Sequence, residues 1–149
     1  MWTDSRSIKL SKICTIIFMI FLVACLISAP WLVTRLISMS VPAQNAGRTL
    51  FLVTLYVGSV PAAALLSFLY ALLHQISSSR VFISANVNYL RYISWCCFAG
   101  AIICLASGFY YIPWFVPGIA AAFIGLIIRV VKNVIAEAVA LQDESDLTI

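Results

Sequence analysis

Residues 13–34 read ICTIIFMIFLVACLISAPWLVT. No charged side chain interrupts this run. A helix rises about 1.5 Å per residue, so roughly 20 apolar residues cross the hydrocarbon of a bilayer. Lys9 and Lys12 stand before the run and Arg35 follows it. Three further apolar runs lie at about residues 50–73, 92–111 and 115–131, the last with Arg129 near its end. Short connections make consecutive helices antiparallel neighbours. The predicted fold is therefore all-α, an integral membrane bundle of four antiparallel transmembrane helices.

Composition agrees. The 149 residues are 64% hydrophobic and 9% charged, with a mean hydropathy of +1.09. A soluble domain carries about 25% charged residues, so this chain has too few to cover a water-facing surface, and the lipid bilayer must cover most of it. Residues 1–149 read as one four-span membrane domain, with no room among them for a separate soluble unit.

Charge layout orients the spans. Arg6, Lys9, Lys12, Arg80, Arg91, Arg129 and Lys132 collect on one side, which makes seven, against Arg35 and Arg48, two, on the other. Cytoplasmic segments carry the excess of Lys and Arg. Both termini and the polar elbow at residues 74–91 are thus expected in the cytoplasm, with the chain in a cell membrane. Basic residues placed this way record membrane orientation. They form no stripe on a soluble fold, so direct nucleic-acid binding is not expected.

The connections carry their own signals. Residues 38–49 read as a polar loop. Pro30 and Trp31 mark the far end of the first span. Pro61 removes a backbone donor inside the second span and should kink it, which lipid tolerates where a neighbouring helix satisfies the freed carbonyl. Ser84 is a candidate N-cap for a helix starting at about Ala85. The segment IPWFVPG, residues 112–118, reads as a tight interfacial hairpin. The last helix should run into the tail at 137–149, because Val131, Ile135, Ala138 and Leu141 keep a three-to-four spacing.

Residues 22–25, LVAC, resemble a lipoprotein cleavage site, but the chain stays apolar after Cys25 where a processed lipoprotein turns polar. They read as part of the first span. The five cysteines all fall in apolar stretches without a Cys-x-x-Cys pair, and read as small hydrophobes rather than metal ligands or disulfides.

Catalytic chemistry finds little to work with. His74 is the only histidine, and no Asp or Glu lies in the centre of a span. A proton relay would need such a partner. No Ser–His pair, metalloprotease motif or paired aspartates stand in the spans, so neither an enzyme nor a cofactor is expected. A small oligomeric channel or transporter is the alternative. Its only polar seam would be Thr54, Ser59 and Ser67 near Pro61. Small residues are better represented. Gly100, Cys104 and Gly108 recur every four residues, as do the pairs Gly118/Ala122 and Ala121/Gly125. Such rows let helices approach closely, within the chain or in a homodimer.

The elbow and the tail are the surfaces left for function. Arg80, Asn86 and Arg91 are the elbow's candidate contacts, and Asp143, Glu144 and Asp146 the tail's. Opposite charges on one face could pair, tail to elbow. The acidic stretch ends in the apolar Leu147-Thr148-Ile149, fit to dock in a protein groove or fold back on the elbow, where a plain solvated tail would stay polar.

The elbow VFISANVNYLRYIS and the terminus DESDLTI resemble the domain-of-unknown-function 2975 family of small bacterial four-span membrane proteins. Phe82, Asn86, Leu90, Arg91 and Ile93 match the family's elbow pattern, and Asp146, Leu147, Thr148 and Ile149 its terminus. Val81 departs from an expected Pro, Ala85 from a frequent acid and Ser145 from an expected Asn. The resemblance implies residence in a bacterial plasma membrane and no established activity. It also implies a soluble partner, since the family's genes often lie beside one for a small helix-turn-helix regulator. The expected function is a non-enzymatic regulatory or scaffold protein whose cytoplasmic face holds that partner.

Overall fold

The structure, a computed structural model, describes residues 2–78 and 83–147, with side chains from Ser5 onward. It contains α1 (Trp2–Met39), α2 (Val41–Ala46), α3 (Arg48–Ser77), α4 (Ser84–Ser107), a 3₁₀ turn (Ile112–Trp114) and α5 (Phe115–Leu147). There is no strand among the described residues. Four of the helices are long and apolar enough to cross a membrane, so the expected all-α membrane architecture is present.

The long helices overrun the apolar runs that announce them. The 38 residues of α1 rise about 57 Å, nearly twice the hydrocarbon thickness of about 30 Å. Pro30 does not end α1, which continues to Met39. Proline lacks the N–H that would bond the carbonyl four residues back, here Leu26. The Tyr56 hydroxyl of α3 donates to that Leu26 carbonyl at 3.3 Å. A neighbouring helix thus fills the bond that Pro30 leaves open, as lipid requires. Just beyond, the Arg35 guanidinium lies 5.2 Å from the Trp31 ring centre, a cation–π contact that lets a basic residue rest on an interfacial aromatic.

Two connections differ from their sequence reading. Residues 38–49 hold the short helix α2, not merely a loop, and its Ala43 is completely buried. Ala43 packs with Val33 of α1 and Phe51 of α3. Gly47 then turns the chain with φ +85°, a backbone region costly for residues with a Cβ. At the elbow, α3 runs on to Ser77, and Ser84 is the first residue of α4 rather than its cap. Ile83 holds the cap position in extended conformation, without a side-chain cap bond. Helix therefore takes up most of the polar stretch 74–91. Arg80, Val81 and Phe82 fall outside the described residues. The 112–118 hairpin forms as read, with Pro113 in the 3₁₀ turn and Pro117 in the first turn of α5, where no intrahelical donor is needed.

The helices pack in series, α1 on α3, α3 on α4 and α4 on α5. Among the described residues the backbone of α1 does not closely approach α4 or α5, nor does that of α3 approach α5. Two apolar clusters hold the row. One joins α3, α4 and α5 through Leu72, Leu90, Ile93 and Cys97. The other joins α1, α2, α3 and the hairpin around Phe51, whose ring meets Tyr110 and Tyr111 edge-on at 5.3 and 5.1 Å. Every neighbouring pair of long helices is antiparallel, so the start of α1, the end of α3, the start of α4 and the end of α5 share one end of the row.

Glycine decides how closely α5 sits on α4. A Cβ on Gly118 would come within 3.0 Å of the Leu105 side chain, and one on Gly125 within 3.1 Å of Cys97 Cβ and the Phe98 ring. The buried Ser94 hydroxyl donates to the Gly125 carbonyl at 3.2 Å. Gly118 and Gly125 thus serve packing within the chain. Gly100 has open space where its Cβ would be, and Cys104 faces α1 and α3. The four-spaced row on α4 is therefore not one interface. Replacing Gly118 or Gly125 by Val should cost about 1–3 kcal/mol by overpacking and lower the thermal midpoint in detergent. Gly100→Ala should leave it level or raise it slightly. Equal losses at all three positions would contradict this account of the α4–α5 contact.

Candidate functional site

The end of the row where α1 begins and α5 ends also carries the described candidates Asn86, Arg91, Asp143, Glu144 and Asp146, while Arg80 lies outside the described residues. α5 positions three of them. Its 33 residues rise about 50 Å, so it cannot stay inside the hydrocarbon. It runs unbroken beyond Lys132 to Leu147, a further 15 residues or about 22 Å. Asp143, Glu144 and Asp146 are all exposed on this arm, with Glu137 closer in. Leu141 and Leu147 are also exposed, at 60% and 86%. The tail is therefore a helical arm as far as Leu147. Thr148 and Ile149 lie outside the described residues.

The elbow residues separate. Arg91 is exposed on the second turn of α4. Asn86 is 1% exposed, in the first turn of α4, with its N–H donating to the Ile83 carbonyl at 3.1 Å. Its side chain belongs to the interior of the elbow and not to its surface. No ion pair joins Asp143, Glu144 or Asp146 to Arg91 among the described residues. Because α5 does not bend back, Asp143 sits about 17 Å further along the helix than Lys132.

The sequence reading missed Lys132 as a residue of the interior. It is 9% exposed, on the α4-facing seam of α5 that also carries Gly118 and Gly125. The signal was available, because the three stand seven residues apart, two turns of helix that return to one face. Burial pushes the Lys132 ammonium below lysine's ordinary range, and the positive charges of Arg129 and Arg91 push the same way. Arg129 itself lies 5.4 Å from the Trp95 ring centre. Three cations thus converge where α4 and α5 leave the apolar zone.

The other candidates do not assemble. Thr54 is buried, with its hydroxyl 2.9 Å from Ser107 Oγ and 2.6 Å from Tyr110 Oη. Ser59 and Ser67 instead donate to carbonyls of their own helix, those of Tyr56 and Ala63, at 2.6 and 2.8 Å. Thr54 and Ser59 border one hollow that is otherwise almost wholly apolar, and Ser67 is not part of it. His74 is exposed at the end of α3. There Lys12 Nζ donates to Ser77 Oγ at 2.9 Å and lies 3.5 Å from His74 Nδ1, tying α1 to α3. No three of His, Cys, Asp and Glu gather in metal-binding fashion among the described residues. The cysteines are free thiols, and Cys97 is buried in the core.

These features define a multi-span helical membrane protein in which some polar side chains join neighbouring helices and others bond carbonyls of their own helix. The chain belongs to the family described as "Protein of unknown function (DUF2975)", which matches residues 32–149, from the end of α1 through the acidic arm. No curated protein and no solved structure matches the chain.

Replacing Lys132 by Met keeps the apolar stem and removes the charge. The folded state lowers this lysine's pKa, so protonation favours the unfolded chain. That cost is fully present below the folded pKa and fades as pH rises towards lysine's ordinary value. Lys132→Met should therefore raise the thermal midpoint at neutral pH, with a gain that shrinks in alkaline buffer. A lower midpoint at neutral pH would show that the charge stabilises the fold.

Proposed function

We propose that this protein is a non-enzymatic docking or regulatory protein of the cell membrane, with both ends of the chain in the cytoplasm. Its α5 arm and the neighbouring elbow engage a soluble partner. One observation carries the reading: α5 continues as helix out of the apolar zone and presents Asp143, Glu144 and Asp146, all exposed and none paired with Arg91. An acidic helix held at a fixed position steers a basic partner and fixes its orientation. Arg91 supplies an opposite charge from the elbow, Arg80 belongs to the same segment of sequence, and Asn86 shapes the turn from inside. The family's gene neighbourhood makes a small helix-turn-helix regulator the partner of first choice.

The test is co-purification of that regulator with the full chain from solubilised membranes. Reversing Asp143, Glu144 and Asp146 to Lys should weaken the complex by about tenfold or more, and the wild-type complex should weaken with added salt. Retention unchanged by both treatments would reject the arm as the docking element.

A further inference from the structure

An apolar groove follows the seam between α1 and α3. Three adjoining hollows build it. The first, of about 230 Å³, lies where α1, α3 and α4 meet, between Ala29, Thr54, Gly58, Cys104 and Trp114. The second shares Leu22, Cys25 and Ala62 with it. The third joins the second at Phe18 and reaches Leu10 and Leu73. From Leu10 to Ala29 the seam covers about 28 Å of helix, close to the full hydrocarbon thickness.

Trp114 forms part of the wall at the hairpin end. Its ring lies 6.5 Å from that of Phe51, and its indole Nε1 is buried without a hydrogen-bond partner. The nearby hydroxyls are already committed to a network of their own. Ser107 donates to the Ile103 carbonyl at 2.8 Å, Tyr110 lies 3.3 Å from the Leu50 carbonyl, and Thr54 bridges the two. One N–H donor is left over beside a long apolar slot.

We propose that the groove binds one membrane phospholipid, with an acyl chain along the α1–α3 seam and its ester carbonyl accepting the Trp114 N–H. The chemistry selects this occupant. Tyr110, Tyr111 and Trp114 cluster on the hairpin, as aromatics do at a membrane–water boundary, and a phospholipid carries its ester carbonyls there, directly above the chains. A free fatty acid would bring a carboxylate, and no cation lines the groove to meet it. A helix from a second copy would offer backbone carbonyls already used within that helix. The Trp114 end of the groove lies at the far end of the row from the acidic arm, and the proposal stands whether or not the arm docks a partner.

The full chain, extracted in mild detergent and washed, is examined by native mass spectrometry for retained lipid. Wild type should keep one phospholipid per chain. Trp114→Phe keeps the ring on Phe51 but loses the donor, and should lower retention by about fivefold, the weight of one hydrogen bond. Ala62→Trp fills the wall common to two hollows and should abolish retention. Trp31→Phe alters an exposed ring near the same membrane face and should retain lipid as wild type does. If Ala62→Trp fails to fold, the contrast between Trp114→Phe and Trp31→Phe decides alone. Wild-type retention by Trp114→Phe overturns the proposal, as does a bound mass matching a fatty acid, detergent only or a second copy.

Discussion

Hydrocarbon offers no hydrogen bonds, so every polar atom within the spans must find its partner in the protein. The joints between helices follow from that constraint. Pro30 leaves the Leu26 carbonyl without its helical donor, and Tyr56 reaches across from α3 to supply one. Thr54 on α3 meets Ser107 and Tyr110 at the end of α4. Ser94 on α4 donates to Gly125 on α5. Each successive pair of long helices carries at least one polar joint set among apolar packing. Lipid tails are as apolar as leucine, so burial alone does not hold transmembrane helices together. Directional bonds and close small-residue contacts select which helices meet and in which register.

The serial order α1, α3, α4, α5 has a consequence for surface. A row exposes more of each helix than a closed bundle does, and large side chains such as Phe21, Val60, Phe123 and Val134 stand well exposed. In a bilayer lipid covers these faces. The same open arrangement leaves the slot along α1 and α3 accessible from the side, whereas a closed core would seal it. Only α4 is substantially buried, with a third of its span enclosed. Its residues meet α3 on one flank and α5 on the other, so α4 is the helix through which the two halves of the chain are joined.

Much of this was legible from hydropathy alone. Apolar runs set against about 30 Å of hydrocarbon locate four helices, and Pro113, Pro117 and the flanking aromatics locate the hairpin. The start of α4 near Ala85 and the run of α5 into the tail were legible, from capping and from three-to-four spacing. Hydropathy reports where lipid stops and not where the helix stops, so the polar first turns of α1 ahead of Ile13 were not legible. Ala43 was missed for a related reason. Six residues that look like loop can be held as helix by one buried methyl group between Val33 and Phe51. Asn86 was read as surface because it is polar, yet packing at the helix start encloses it. Lys132 was read as one of the basic residues of the cytoplasmic side, yet its seven-residue spacing from Gly125 returns it to the face of α5 that meets α4.

That seam also explains what the arm can do. Gly118, Gly125 and Lys132 carry one face of α5 along α4, and Ile135 joins the core cluster of Leu90 and Ile93. Beyond that contact α4 soon runs out, since it starts at Ser84, and among the described residues no other helix flanks α5 there. A disordered acidic tail would sweep a wide volume and could fold back onto its own elbow. A helix rooted by a glycine seam holds its acids at a set distance from Arg91 and cannot neutralise it without unwinding. The two charges thus stay separately presented on one face. Under the proposed docking role, recognition by a partner that spans both would depend on helix continuity between Lys132 and Asp143 as much as on the charges themselves, so a break placed in that segment would weaken docking with every acidic residue intact.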